Sequence, residues 1–186
     1  MAEPLKRLFT RDEYYAMAKA GILKPEDRVE LIEGVIYRMH PAGDRRALCV
    51  TLLNDLLAVL SAQGEVSVSP QNPVHLDDFS EPRADLAVVQ RRQAGLGTGN
   101  PTSDDIYFLI EVADSYLEHD QQSKMPLYAR SGVPEAWLVD LTRNVLEVRR
   151  DPAPDGYRSV QRLRHGDRIS PQAFPDFEIA VESILP

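Results

Sequence analysis

The chain has 186 residues, of which 43% are hydrophobic and 27% charged, with a single cysteine and a formal net charge of −8. Such a chain can bury a core without covalent staples. Its lone cysteine excludes an intrachain disulfide framework and any multi-cysteine metal site, and its acidic balance excludes binding to nucleic acid through a generally basic surface. The N-terminus MAEPLKRLF lacks the apolar core of a signal peptide. The most apolar long stretch, residues 47–60, is broken by Asn54 and Asp55, so it is no membrane span. The expectation is one cytoplasmic domain spanning residues 1–186.

Residues 9–20 (FTRDEYYAMAKA) open with a helix signature: Thr10 and Glu13 fit a capping box, Phe9 and Tyr14 a hydrophobic staple, and Gly21 a terminator. Pro25 then breaks the chain. Residues 28–39 (RVELIEGVIYRM) read as a β-hairpin turning at Glu33-Gly34, with Glu30 in its first strand. From 44 to 63 the pattern is helical. Leu48, Leu52, Leu56 and Leu60 form an apolar stripe with Leu53 and Leu57 beside it, and Gly64 ends the helix. Cys49 falls within this pattern and reads as a packing residue.

Residues 65–69 (EVSVS) alternate as a half-exposed strand does, and residues 73–76 continue the sheet after a proline-marked bend. ADLAVV (84–89) is a compact apolar strand with Asp85 near its start, and residues 91–104 form a surface loop. Residues 106–140 then read as strand, helix, strand. IYFLI is an apolar run with Glu111 at its carboxyl end, and the helix carries Lys124, Leu127 and Tyr128. Gly132 closes that helix, and EAWLVD (135–140) is the second strand. This is a βαβ unit, whose strands are parallel and joined by a right-handed crossover. VLEVRR (145–150), a turn at DPAPDG and the return strand YRSVQR (157–162) follow, then a strand or cap over residues 177–185.

Strands 84–89 and 106–112 are consecutive and joined by a loop, so they are expected to be antiparallel neighbours. The start of one then lies beside the end of the other, and Asp85 meets Glu111. Pro126 marks the first turn of the following helix, which places Lys124 at that helix's N-terminus, back toward Glu111. Two carboxylates and a lysine at one corner of a sheet suit a hard divalent cation, with Mg²⁺ the first candidate and Mn²⁺ a substitute. Such an ion activates water and neutralises charge at a phosphate, so the implied chemistry is phosphodiester hydrolysis. A local acidic metal site of this kind is compatible with the acidic balance of the whole chain.

Asp85, Glu111 and Lys124 on strand, strand and helix resemble the PD-(D/E)xK nuclease core. The text ELIEG, RADLAVV, FLIEVADS, then Asp120 and Lys124, then LYARSGVPEAWLVD resembles the Uma-two family of restriction-endonuclease-like proteins over residues 9–150. Its most specific pieces are EVADS, the Asp120, Lys124 and Tyr128 spacing, and GVPEAWLVD. The resemblance implies an α/β (α+β) fold with a restriction-endonuclease-like core: a central mixed sheet flanked by helices, with an N-terminal helix and β-hairpin. It implies Mg²⁺-dependent DNA cleavage, with Asp85 and Glu111 as metal ligands, and makes DNA the expected partner. Glu30 matches a family glutamate and adds a third carboxylate. Nucleases that cut both strands commonly pair their sites, so a homodimer or higher homo-oligomer is expected by analogy.

Two departures stand out. Ala84 replaces the proline before the motif aspartate, and Ala113 replaces the lysine two residues past the motif acid, so Lys124 supplies that amine from the helix. Asp140 reads as a turn cap, Tyr128 as core packing, Trp137 as a buried strand residue, and His119 as a neighbour of the site. The pairs Arg91-Arg92 and Arg149-Arg150 read as solvated surface. The alternative to an enzyme is a nuclease fold without cleavage activity, serving in binding or assembly; the acidic balance and the lack of a separate DNA-reading domain motivate it.

Overall fold

The computed structural model describes residues 6–39, 41, 43–62, 64, 66–91, 99–114 and 117–186. Helix α1 (Arg11–Lys19) starts on a reciprocal cap: Thr10 Oγ1 accepts the Glu13 N–H at 3.3 Å, and the Glu13 carboxylate accepts the Thr10 N–H at 3.0 Å. The hairpin follows as β1 (Val29–Ile32) and β2 (Val35–Arg38), with Ile32 paired to Val35. Glu33 and Gly34 turn it with φ of 50° and 75°, as a tight primed turn requires. Only glycine fits at position 34, because an added Cβ would stand 2.5 Å from Leu8 Cβ.

Helix α2 (Asp44–Ala62) is the longest helix described, and its buried face differs from the leucine stripe expected at 48, 52, 56 and 60. Cys49, Leu53, Leu57 and Leu60 are buried, whereas Leu48 is half exposed. The helix carries apolar residues nearly all round, so the leucine spacing alone does not select which side meets the sheet. None of the described helices is long and apolar enough to cross a membrane.

Six strands form one mixed sheet: β3 (Val66–Pro70), β4 (Leu86–Gln90), β5 (Ile106–Ala113), β6 (Glu135–Asp140), β7 (Val145–Ala153) and β8 (Gly156–Leu163), adjacent in that order. Only β5 and β6 pair in parallel, and they are joined through a helix as a βαβ crossover requires; the other neighbours are antiparallel. The expected extension of the sheet over residues 73–76 is absent. Pro73 and His75 make only isolated bridges, to Arg83 and Thr102. Strand β7 also runs further than expected, through the start of DPAPDG, so that Pro152 pairs with Tyr157. Its β6 partner ends opposite Arg150, so the N–H that Pro152 lacks is not needed there. Of the loop expected over 91–104, residues 92–98 lie outside the described residues, and Ser103–Asp105 is a short 3₁₀ turn.

Alternation along the strands builds two cores. Phe108, Ile110, Val112, Trp137 and Val139 face α2 and the C-terminal segment, whose Val181, Ile184 and Leu185 complete that layer. Leu109, Ala113, Ala136 and Leu138 face the other way, against Met125, Leu127 and Tyr128. The last two strands, β9 (Arg168–Ile169) and β10 (Ile179–Ala180), form a small separate ribbon. Cys49 is a buried free thiol whose Sγ lies 3.0 Å from the Ile184 carbonyl oxygen, as a packing residue would be.

The crossover helix departs from its expected start. It begins as α3 (Leu117–His119), passes through a π-helical turn at Asp120–Lys124 and continues as α4 (Met125–Arg130). Lys124 therefore lies well inside the helical run rather than at its N-terminus. Pro126 has no N–H for an ordinary helical bond, and the turn just before it is the wide one, with the Met125 N–H bonded to the Asp120 carbonyl. The widened turn carries Asp120 and Lys124, and both are buried.

Candidate active site

Leu86 of β4 pairs with Ile110 of β5, and one step further along the antiparallel pair brings Asp85 beside Glu111. The Asp85 carboxylate accepts the Val112 N–H at 2.8 Å, which fixes it against the end of β5. Both acids are buried, with exposures of 1% and 0%. Glu111 lies on the face shared by Leu109 and Ala113, the face that the crossover helix covers.

From that helix the Lys124 ammonium reaches Glu30 Oε2 at 3.0 Å and Glu111 Oε1 at 3.2 Å, and donates to the Arg83 carbonyl at 3.0 Å. An ammonium has three protons to give, and three acceptors surround it. Glu30 reaches this point from the hairpin, where Oε2 also accepts the Arg83 N–H at 2.9 Å. Burial by itself would lower the Lys124 pKa, but Glu111, Glu30 and Asp120 outweigh it and hold the amine above its ordinary value. Lys124 is thus a fixed cation and not a proton acceptor at neutral pH.

Three further residues complete the cluster. Tyr128, buried as expected, also has a polar role: its hydroxyl donates to Glu111 Oε1 at 2.5 Å. Asp120 is buried, with its carboxyl pushed up to about 6 by burial and by the charges of Asp85 and Glu30, against the opposing pull of Lys124 and Arg46. Arg46, in the first turn of α2, grips Asp85 with a forked contact, Nη2 lying 2.8 Å from Oδ1 and 2.9 Å from Oδ2. Sequence reasoning passed over Arg46. One signal was available: an arginine in a helix's first turn runs against the helix dipole, which favours acids there.

Four carboxylates (Glu30, Asp85, Glu111, Asp120) face two cations (Arg46, Lys124), an excess of two negative charges when all the acids ionise. The excess is felt most at Glu111. Burial, with added repulsion from Asp120, Asp85 and Glu30, raises its carboxyl to about 8 despite Lys124. Its second oxygen, Oε2, is buried and has no hydrogen-bond partner among the described residues.

An open cavity of about 570 Å³ adjoins the cluster, walled by the hairpin (Glu30, Tyr37, Arg38), the start of α2 (Arg46), the end of β5 (Val112, Ala113) and the crossover helix (His119, Asp120, Lys124). Neither Asp85 nor Glu111 belongs to the wall; the cations paired with them do. His119 packs its ring on Tyr37 at 4.9 Å. Asp140 and Arg149-Arg150 lie elsewhere. Asp140 caps the β6–β7 turn by accepting the Thr142 and Arg143 N–H groups, and the arginines pair with Glu147 and Glu135.

The Uma2 family, described as "Putative restriction endonuclease", matches residues 11–182. The chain belongs to this family. Nuclease function is therefore supported for this Uma2 chain by its family. No curated protein matches it. Among solved structures, a "putative nuclease belonging to DUF820" from Anabaena variabilis superposes with a TM-score of 0.70 at 16% identity, covering 95% of this chain and 97% of the other. That likeness shows a shared fold, the mixed α/β architecture expected from the sequence.

Proposed function

We propose that this Uma2 chain is a Mg²⁺-dependent DNA endonuclease that hydrolyses phosphodiester bonds, with Asp85 and Glu111 as metal ligands. The observation that carries this reading is Glu111: a buried acid whose Oε2 has no hydrogen-bond partner among the described residues, in a cluster that carries two negative charges in excess once all its acids ionise. A divalent cation matches that excess, and carboxylate oxygens are the donors a hard ion selects. Among the described residues no group of three or more Asp, Glu, His or Cys forms a metal cage. Mg²⁺ is commonly bound through one or two carboxylates plus water and substrate phosphate. Mn²⁺ would serve in its place.

The ion, when bound, supplies an activated water and neutralises charge on the phosphate. The chain's own residues do the rest. Lys124, held protonated, sets the orientation of Glu111 and offsets charge that develops near it. Glu30 and the Arg83 carbonyl position that ammonium. Tyr128 fixes the Glu111 carboxylate from the helix side, and the cavity admits a backbone segment between the hairpin and the crossover helix. Nucleases that cut both strands commonly pair two such sites, so pairing of two copies belongs to the same proposal.

The test is incubation of supercoiled plasmid with purified protein and Mg²⁺ or Mn²⁺. Nicking or linearisation is expected, and it should be lost in Asp85→Ala and in Lys124→Ala. Wild-type cutting by those variants, or no cutting across metals and substrates, would sink the proposal.

One observation favours the second reading, a nuclease fold retained for binding or assembly: Arg46 holds both oxygens of Asp85. Calorimetry separates the two. Mn²⁺ binding that vanishes in Glu111→Ala counts against the purely structural reading.

A further inference from the structure

We propose that Arg46 and the divalent cation are exclusive occupants of Asp85, and that on metal binding the Arg46 guanidinium leaves this carboxylate to become a phosphate ligand at the cavity wall. The inference rests on the metal-dependent reading above.

Both oxygens of Asp85 are already engaged. Oδ2 accepts the Val112 N–H at 2.8 Å, Arg46 Nη2 at 2.9 Å and Arg46 Nε at 3.3 Å, while Oδ1 accepts Nη2 at 2.8 Å. The strand amide is fixed by the sheet, so among the described residues the neighbour able to withdraw is the arginine. A guanidinium and a divalent ion on one buried carboxylate repel each other strongly, because little water lies between them to screen the charges. The two cations therefore alternate.

The arginine can move. Its side chain is 18% exposed and forms part of the cavity wall, whereas Asp85 does not. Arg46 thus stands on the open side of the pair with about 570 Å³ of space beside it. Its planar fork also matches a phosphate as well as a carboxylate. Displacement by the metal would turn an internal counter-ion into a substrate contact and couple metal binding to phosphate binding.

Mn²⁺ titration by calorimetry tests this on the full chain. Arg46→Gln removes the competing cation but keeps a polar side chain, and it should bind Mn²⁺ about tenfold tighter than wild type or better, the loss of one charge-assisted contact being worth at least that factor. Arg46→Lys should fall between the two. Because the glutamine variant could fold poorly, the wild-type chain supplies a second readout. The Arg46 Nε–H resonance should shift and exchange faster with solvent on adding Mg²⁺, but not in Asp85→Asn.

Equal or weaker Mn²⁺ binding by a folded Arg46→Gln, or an unmoved resonance at saturating Mg²⁺, overturns the exchange and leaves the metal site standing. Absence of Mn²⁺ binding in wild type and Arg46→Gln alike overturns the metal reading and the exchange together. Binding by Arg46→Gln alone supports the exchange in its strongest form.

Discussion

The Tyr128 hydroxyl donates to Glu111 Oε1 at 2.5 Å, linking the helix of the βαβ crossover to the acid at the end of its first strand. Both groups are fully buried. Tyr128→Phe removes the donor and keeps the ring, so packing is preserved while a carboxylate loses a contact. A hydrogen bond to a charged group is worth about 1.5–3 kcal/mol. Urea denaturation at pH 9, where Glu111 is ionised, should show a loss in that range. A variant as stable as wild type there would mean that the hydroxyl is a spectator.

The pH dependence of stability has a definite sign. Glu111 is raised from 4.5 to about 8 in the folded chain and Asp120 from 3.8 to about 6, in both cases chiefly by burial. Across that range the folded chain retains protons that the unfolded chain has released, so stability falls as pH rises from about 4.5 to about 8. The Lys124 shift has the same sign, but its contribution is fully present below the unfolded value of 10.5 and is constant in this window. In a chelator, thermal melts at pH 5, 6, 7 and 8 should descend in order, and Glu111→Gln should flatten the series. Added Mn²⁺ should restore stability most at the high end, where the site is fully charged.

Lys124 contacts two buried acids at once, Glu30 and Glu111. Lys124→Met leaves Glu30 and Glu111 buried without their cation, and breaking a buried pair costs about 3–5 kcal/mol. The loss should be smaller at pH 5, where Glu111 carries its proton, than at pH 9, where it is ionised. Any cleavage activity should fall about 10²- to 10³-fold, as it does when one fixed electrostatic donor is removed from a site. Denaturation at two pH values and a plasmid assay measure the two effects separately.

Glu135 provides a control away from the site. It is buried at the start of β6, accepts Trp137 Nε1–H at 2.6 Å and the Gln172 N–H at 2.6 Å, and pairs with Arg150 at 3.1 Å. Glu135→Ala should destabilise the fold by about 3 kcal/mol through its orphaned partners. Mn²⁺ affinity, measured on the fraction that remains folded, should not change. A changed affinity would show that the cluster extends across the sheet.

Much of this architecture was legible because local chemistry and tertiary demand agree. Thr10 and Glu13 cap a helix in any context, and Glu33-Gly34 needs positive φ wherever two strands turn that tightly. Strand order was legible where a loop and not a helix joins consecutive strands: the connection between 84–89 and 106–112 implied antiparallel neighbours, and that register sets Asp85 beside Glu111. Where the pattern was ambiguous the expectation slipped. The apolar circumference of α2 left its buried face open, and Pro126 looked like a helix start when a widened turn absorbs it inside the helix.

By itself the sequence determined the kinds of charge available and the strand ends that carry them, since an acid closing an apolar run must be placed where something compensates it. What only the tertiary structure decided is which cation compensates which acid. Lys124 is assigned to Glu111 and Glu30, and Arg46 to Asp85, by a widened turn in one helix and by the position of another over the sheet. Charges pair by distance and burial, and neither can be read along the chain. The amine near the site was foreseen; the guanidinium seated on the neighbouring acid was visible only in three dimensions.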